Sequence, residues 1–378
     1  MDVNTLLLLS TYPFCYICQN EIAGGALFFV SMKLTKNILI LDIIVLVACI
    51  VMIRAGRASV KPTVAGVVTF PHFAAAGDTV VVADIPEEKI GKRKVSSKVL
   101  IQAVPDTLPY LSFDPGLLQA MYEQANYLRR RDIPRFGSSG INRGEMLKTV
   151  EMLQRVNLLD PSVLMSTFDF YRVNTDLHSD RVRMTGYYSP IIKASREKTP
   201  EFPCPMYSRP ESRTPSPAAI EAGALHGRGL ELAWLPSRKE LRNAQLQGNC
   251  LIEFPDGNRQ HFGFGGSVKG VGGSYVFFTK VDRQVLGAGS FPLTPGYSVA
   301  VDLRYIPLGA TLLAELPDLD AAGRLKGYTY RILFAQDRGG GILTTKRLDL
   351  YCGVGQRGLQ EARKINGFGR LWVLLPKE

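Results

Sequence analysis

The feature that most constrains the fold is the pattern of the second half of the chain. From residue 188 to the C-terminus, short apolar runs typical of β-strands are separated by Gly and Pro, and no long amphipathic helix lies between them. Short strands joined directly by turns form small barrels or sandwiches. We therefore predict a mainly β fold with some α-helix.

The predicted elements follow from periodicity and turn residues. Apolar residues at three- and four-residue steps predict helices at 111–131 and 146–153. Strands are predicted at 297–302, 311–315, 328–334, 348–351 and 370–375, with one short helix at 358–364.

Turn residues predict the loops of the chain. Residues 200–217, rich in Pro, Ser and Thr, are expected to form an irregular loop, and the Pro-Asp-Gly at 255–257 predicts a hairpin-type turn. Gly-rich stretches between 262 and 273 predict a loop or a close approach of two backbones.

Length and charge exclude several classes of protein. The 378 residues are enough for two domains, and no apolar stretch after about residue 53 is long enough to cross a bilayer, which excludes a polytopic membrane protein. The net charge of +11 comes from basic residues that are spread along the chain. This dispersal indicates a solvated surface without a nucleic-acid partner, although the charge attracts anionic polymers at long range.

The N-terminal region resembles an export signal. A short positive segment at 32–37 precedes an apolar run at 38–53, in which Leu-Val-Ala-Cys49 resembles the lipobox of bacterial lipoproteins. Lipidation at Cys49, an uncleaved membrane anchor and a simple signal stay open as alternatives. We assign residues 1–58 to this signal or anchor region, with 1–31 as an upstream extension, and residues 59–99 to a tether.

Several chemistries lack their sequence signatures. No G-x-x-x-x-G-K-[ST] phosphate loop and no G-x-S-x-G nucleophile elbow is present. The four histidines are not at metal-ligand spacing, and Cys15-x-x-Cys18 has no second pair. We expect neither a metal nor a cofactor.

Three aspartates lie at or beside predicted strand ends: Asp302, Asp337 and Asp349. Asp349 lies between Leu348 and Leu350, so alternation directs its carboxyl away from the side on which its apolar neighbours pack. A partly dehydrated carboxyl on a barrel wall suits a general acid. The same pattern also fits a surface aspartate on the polar face of a strand, and Asp337 before three glycines also fits turn chemistry.

Several short motifs together resemble the membrane-bound lytic murein transglycosylase A family. They are Met-Thr-Gly-Tyr-Tyr-Ser-Pro at 184–190, Leu-Ala-Trp at 232–234, Leu-Gln-Gly at 246–248, Ser-Tyr-Val-Phe-Phe at 274–278, Ala-Val-Asp at 300–302, Ile-Pro-Leu-Gly at 306–309, and Asp-Arg-Gly-Gly through Arg-Leu-Asp-Leu-Tyr at 337–351. The C-terminal part resembles the family's 3D domain, which is named for three aspartates. One departure is that residues 264–273 join two motifs directly where family members have a helical stretch.

The resemblance implies a fold. It implies a double-psi β-barrel built from residues 100–188 and 275–378, with a smaller β domain inserted at 189–274. A groove between the two domains would hold a glycan strand.

The resemblance also implies a reaction, which is nonhydrolytic cleavage of the β-1,4 bond between N-acetylmuramic acid and N-acetylglucosamine by an exotransglycosylase. Asp349 would be the single catalytic acid and base, with Asp337 and Asp302 in supporting roles. The substrate-binding residues it implies are Thr185, Gly186, Tyr187, Gln247, Gly248, Gly339 and Gly340. Two alternatives stay open: a two-carboxylate hydrolase on the same barrel, and a non-catalytic, expansin-like glycan-binding protein.

The expected partners follow from that reaction. They are peptidoglycan strands, a membrane contacted through the N-terminal lipid or anchor, and proteins of murein-synthesis or murein-degradation complexes. We expect a monomer on the periplasmic side of a Gram-negative envelope, as an outer-membrane lipoprotein.

Overall fold

The structure is a computed structural model and describes residues 99–130, 139–158, 160–174, 180–282, 284–290, 292–320 and 322–377. The predicted signal or anchor region at 1–58, with Cys49, lies outside the described residues, as does the predicted tether except for its last residue. Within the described ranges, no helix has the length and apolar character needed to cross a membrane.

The described part of the chain contains fifteen strands and six helices. The strands are β1 (Leu100–Gln102), β2 (Phe168–Val173), β3 (Val182–Ser189), β4 (Ile191–Lys193), β5 (Cys204–Tyr207), β6 (Glu231–Leu235), β7 (Cys250–Glu253), β8 (Arg259–Gly270), β9 (Gly273–Val281), β10 (Ser298–Ala300), β11 (Thr311–Leu319), β12 (Leu325–Asp337), β13 (Arg347–Val354), β14 (Asn366–Gly369) and β15 (Leu371–Pro376). The helices are α1 (Pro115–Arg129), α2 (Arg143–Leu153), α3 (Pro161–Thr167), α4 (Pro217–Glu221), α5 (Arg238–Gln247) and α6 (Gly355–Arg363).

The first two helices begin where the sequence provides caps. Asp114 accepts a hydrogen bond from the backbone N–H of Leu117 at 3.0 Å, and Pro115 occupies the first turn of α1, where its missing N–H costs nothing. Asn142 and Glu145 form a reciprocal capping box at the start of α2. Both helices bury apolar faces in the main core, so the two predicted helices are confirmed.

Nine strands form one large sheet in the order β1-β2-β15-β11-β12-β10-β13-β3-β14. The pairs β10–β12 and β13–β3 are parallel. The β14 end of the sheet returns to β11, because the backbone N–H of Glu315 donates to the carbonyl of Arg370 at 2.9 Å. A Cβ on Gly369 would lie 1.8 Å from the Glu315 carbonyl oxygen, so only glycine permits this approach. The strands from β11 to β14 thereby close into a barrel.

A smaller β domain is inserted between β3 and β10. It contains a four-stranded sheet, β4-β7-β8-β9, and a two-stranded sheet, β5-β6, with its own buried apolar clusters. The predicted fold class is confirmed: the chain is mainly β with some helix, and a smaller β domain interrupts the barrel.

One domain boundary and one loop predicted from the sequence are wrong. The inserted domain extends to Val281 rather than to residue 274, because β9 pairs with β8 from Gly273 to Val281. The predicted loop at 200–217 contains strand β5, which pairs with β6. The predicted close approach of backbones is observed, since a Cβ on Gly265 would lie 2.6 Å from the carbonyl carbon of Phe278.

Candidate active site

A row of residues crosses the barrel wall through strands β12, β10, β13 and β3. Ala300 on β10 pairs with Asp337 on one side and with Asp349 on the other, and Asp349 pairs with Thr185 on β3. Residues directly opposite each other in a sheet share one face. Because neighbouring strands are about 4.8 Å apart, the Cα atoms of Asp337 and Asp349 are separated by roughly 10 Å.

Asp349 lies on the face predicted from alternation. Leu348 and Leu350 on either side of it are buried, whereas its own side chain keeps 16% of its surface exposed. A carboxylate in this setting is accessible to a ligand while its strand is fixed by the core behind it. The barrel wall therefore presents Asp349 in a way that suits catalysis.

Two side chains hold the Asp349 carboxylate. Arg347 donates from Nε to Oδ1 at 2.7 Å and from Nη2 to Oδ2 at 2.9 Å, and the hydroxyl of Thr185 donates to Oδ1. The bidentate contact fixes the plane of the carboxylate as well as its position. Arg347 was not predicted as a site residue, although its position two residues before Asp349 on a strand places it on the same face.

Asp337 lies at the end of β12 and has a different environment. Burial raises the pKa of its carboxyl to about 6, and hydrogen bonds from Tyr187 and from the backbone N–H groups of Arg338 and Ala288 only partly oppose this effect. The Tyr187 hydroxyl donates to Oδ2 at 2.7 Å, and Arg338 N–H donates to Oδ1 at 2.8 Å. Asp337 can therefore carry a proton near neutral pH, unlike an exposed aspartate.

Tyr187 connects the two parts of the row. Its ring centroid lies 5.3 Å from that of Tyr351, which follows Asp349 by two residues on β13. Burial, and then the Asp337 charge, raise the pKa of the Tyr187 phenol well above its usual value, so the phenol stays protonated and acts as a donor. Tyr187 thus orients Asp337 from strand β3.

Asp302 forms a separate ion pair. Burial disfavours its charge, but hydrogen bonds from the Arg304 side chain and backbone outweigh that effect, and its pKa is lowered. Arg304 Nη2 donates to Asp302 Oδ2 at 2.6 Å and also to the carbonyl of Leu343, in the segment that leads to β13. The contacts of Asp302 therefore tie that segment to the end of β10.

The glycines predicted to bind substrate have different surroundings. A Cβ on Gly186 would lie 2.5 Å from the Cα of Ala362, so this glycine lets helix α6 pack against β3. Gly248 is the C-cap of α5, with φ 74°, which accounts for its glycine. A Cβ on Gly339 would meet Ile342 at 2.9 Å, whereas a Cβ on Gly340 would have nothing within 4 Å.

Gln247 contacts the barrel rather than the aspartates. Its Oε1 accepts a hydrogen bond from the backbone N–H of Tyr188 at 3.2 Å, and Asn243 of the same helix donates to the Tyr188 hydroxyl at 3.3 Å. Helix α5 of the small domain is thereby attached to strand β3, next to Tyr187. Of the predicted site residues, the structure brings Asp349, Thr185, Asp337 and Tyr187 into one connected row.

The row contains acidic and phenolic groups and a guanidinium, a set that suits proton transfer. In the described part of the chain, no group of three or more His, Cys, Asp and Glu residues could hold a metal ion.

Comparisons with known proteins agree with this architecture. The family model for the 3D domain matches residues 297–375, and that for the MltA specific insert domain matches residues 183–216. The membrane-bound lytic murein transglycosylase A of Escherichia coli K12 is 29% identical over 299 residues, covering 67% of this chain and 80% of that protein. The protein of the same name from Vibrio cholerae is 30% identical over 240 residues, covering 51% and 65% respectively.

Solved structures of lytic murein transglycosylases are also similar to this chain. E. coli MltA with bound chitohexaose aligns with a TM-score of 0.62 at 25% identity, covering 78% of this chain and all of that one. A membrane-bound lytic murein transglycosylase from Agrobacterium tumefaciens shares the fold, with a TM-score of 0.58 at 22% identity over 71% of this chain and 97% of that one.

The fold and the two domain matches define a 3D-domain protein with an MltA-type insert. In both domains the chain is similar to proteins of the membrane-bound lytic murein transglycosylase A family.

Proposed function

We propose that the chain is a peptidoglycan lytic transglycosylase that cleaves the β-1,4 bond between N-acetylmuramic acid and N-acetylglucosamine without water. The similarity to proteins named lytic murein transglycosylase A supports this reaction, and E. coli MltA binds chitohexaose, a β-1,4-linked amino-sugar oligomer. The glycan strand would lie in a groove between the barrel and the small domain, across the row that contains Asp349. This substrate class also suits the positive charge of the chain.

The cycle starts once Asp349 has taken up a proton and a contact with Arg347 has opened; in the first step this carboxyl donates its proton to the oxygen that links the two sugars. The bond between that oxygen and C1 of the muramic residue breaks, and positive charge develops at C1. The ionised carboxylate that remains stabilises this charge. General acid catalysis of this kind contributes about 10²–10⁴-fold to a rate.

In the second step, the same carboxylate removes a proton from the C6 hydroxyl of the muramic residue. The C6 oxygen attacks C1 and closes a 1,6-anhydro ring, and Asp349 is again protonated. No water enters, because the nucleophile belongs to the substrate and attack is intramolecular. One carboxyl therefore suffices where ordinary glycosidases use two.

Arg347 and Thr185 position the catalytic carboxyl in this scheme. In the free protein, Arg347 contacts both carboxylate oxygens, and Thr185 contacts one of them. Because the glycosidic oxygen must approach the same atoms, substrate binding must open at least one of these contacts.

The observation that carries the proposal is the position of Asp349, which is largely shielded on the barrel wall and oriented by a bidentate partner. Mass spectrometry of the fragments released from purified sacculi tests it. We expect products that are lighter by one water molecule than hydrolytic fragments of the same composition. Fragments of hydrolytic mass would contradict the proposal.

Asp337 could supply the second carboxylate that the alternative function, a two-carboxylate hydrolase, requires. Its pKa of about 6 lets it act as a base above that pH, with Asp349 as the acid. In that reaction a water molecule adds to C1, so product mass separates the two functions. The Tyr187 donor on Asp337 favours the transglycosylase, because a base that is already hydrogen-bonded is less available to activate water.

The proposed location follows from the proposed substrate. Murein lies outside the inner membrane, and the relatives are named as membrane-bound proteins. We infer attachment on the periplasmic side through residues 32–53, with Cys49 lipidated in an outer-membrane lipoprotein. Metabolic labelling with a radioactive fatty acid tests this, since Cys49→Ala should remove the label.

A further inference from the structure

A cavity of about 300 Å³ lies in the small domain. It is bounded by strand β5, the end of helix α4 and one side of helix α5. This volume is at the lower limit of the roughly 300–1,000 Å³ found for small-molecule pockets. Asp302, Asp337 and Asp349 do not line it, so the proposed reaction leaves the cavity unused.

The charges around the cavity are unbalanced. Lys198, Arg238 and Arg242 line it, and Glu221 is the one carboxylate among the lining residues. Arg238 Nη1 lies 3.9 Å from Glu221 Oε2, which pairs one cation with the one anion. Across the described residues, neither Lys198 nor Arg242 forms an ion pair with a carboxylate. Two positive charges therefore remain for a ligand.

Two tyrosines of the cavity wall also lack partners. Tyr207 and Tyr275 are 2% and 5% exposed, and in the described ranges neither hydroxyl is among the buried polar atoms without a partner, so both hydroxyls reach the water of the cavity. Burial raises the pKa of both phenols, so the hydroxyls stay protonated and can donate. A ligand with acceptor oxygens can replace the water at these hydroxyls and accept their hydrogen bonds.

The remaining wall is aromatic. Trp234 lines the cavity, and the ammonium group of Lys198 lies 5.8 Å from the centroid of its ring. This wall of the cavity is therefore apolar at the aromatic ring and positively charged at the ammonium group next to it. A ligand that matches it combines an apolar segment with a carboxylate.

We propose that this cavity binds a carboxylate-bearing peptide, namely the peptide stem attached to murein glycan strands, an inference that rests on the proposed function. Lys198 and Arg242 would bind the carboxylates, while Tyr207 and Tyr275 would donate to peptide carbonyls. An uncharged glycan, such as an oligomer of N-acetylglucosamine alone, would leave both cations without a carboxylate. The small domain would then recognise the peptide while the barrel cleaves the sugar.

Calorimetric titration of the full chain in detergent with a free murein tetrapeptide tests the site. A second titration uses the same peptide with its carboxylates amidated. We expect the amidated peptide to bind the wild-type chain at least roughly tenfold more weakly than the free peptide does. We expect a loss of the same size when the free peptide binds Arg242→Gln or Lys198→Gln, because charge-assisted hydrogen bonds are lost in each case. Lys239→Gln is the matched control: it removes the same charge from helix α5 outside the cavity, and affinity should stay unchanged.

Cleavage assays separate this site from the proposed function. Arg242→Gln should cleave peptide-free strands at the wild-type rate and peptide-bearing strands with a raised KM. Equal affinity for the free and amidated peptides, or equally tight binding of inorganic phosphate, would overturn the peptide site while cleavage continues. Failure of the wild-type chain to cleave either kind of strand would contradict the proposed function instead.

Discussion

The barrel site and the small-domain cavity satisfy their polar groups in opposite ways. On the barrel, Asp349 is held by Arg347 and Thr185, and Asp337 is held by Tyr187, before any substrate arrives. In the cavity, two cations have no carboxylate partner and two phenol hydroxyls have no hydrogen-bond partner within the described chain. Catalysis requires groups that are oriented in advance, whereas recognition requires groups that a ligand can satisfy. In our proposal, the barrel site carries out the chemistry and the cavity recognises the peptide.

The largest expected effect comes from the barrel. Asp349→Asn keeps the shape of the side chain and removes the proton donor, so release of fragments from sacculi should fall by about 10³-fold. Sacculus binding and the thermal unfolding midpoint should stay near wild type. Asp318→Asn, which removes an exposed carboxylate paired with Lys326, is the control. If folded Asp349→Asn still lyses sacculi, Asp349 is not the catalytic carboxyl, and the contrast between a catalytic barrel site and a binding cavity fails.

Asp337 provides a test through pH. Its folded-state pKa of about 6 exceeds its usual value of 3.8, so the folded protein binds this proton more tightly than the unfolded chain. Its contribution to stability is therefore largest below about pH 4 and falls as the pH rises to about 6. Asp337→Asn should remove this loss, so at neutral pH the free energy of unfolding of the variant should rise relative to wild type by up to about 3 kcal/mol. Urea unfolding at several pH values measures it, and parallel curves for variant and wild type would refute it.

Variants of two glycines distinguish a role in packing from a role in substrate contact. Gly186→Ala places a Cβ 2.5 Å from the Cα of Ala362, and we expect it to lower the free energy of unfolding by about 1–3 kcal/mol. Gly340→Ala meets nothing within 4 Å and should leave stability within about 0.5 kcal/mol. Thermal unfolding of both variants is the measurement. An unchanged midpoint for Gly186→Ala would return Gly186 to the list of substrate-contact candidates.

The smallest expected effect concerns how Asp349 is oriented. Arg347→Gln removes the bidentate contact, and we expect kcat to fall roughly tenfold while KM changes little. Arg347→Lys should recover only part of this loss, because an ammonium group cannot make the planar double contact. Steady-state cleavage of a defined glycan strand provides both constants. A change confined to KM would identify Arg347 as a substrate-binding residue and not as a positioning residue.

The orientation of Asp349 was easier to predict from the sequence than the end of the small domain. The orientation of Asp349 follows from the buried leucines on either side of it, because alternation is a local property of a strand. The end of the small domain does not follow from local sequence, since only pairing with β8 assigns β9 to that domain. Strand β5 was missed because its prolines and polar surroundings resemble a loop, although Pro205 pairs with Trp234 in a two-stranded sheet.

The partners of the aspartates were harder to predict. Tyr187 and Asp337 are far apart in the chain, and only the order of strands β12, β10, β13 and β3 brings them together. Arg347 was within reach of the same alternation argument that identified Asp349. The cavity could not be predicted, because it is formed by β5, α4 and α5, which the sequence analysis did not predict.

Cleavage in water enriched in heavy oxygen tests the account most directly. If the C6 hydroxyl of the sugar closes the ring, the fragments released by the wild-type chain carry no label, and Asp349→Asn releases almost none. Heavy oxygen at newly formed reducing ends would show that solvent attacked C1, which contradicts a reaction run by one carboxyl.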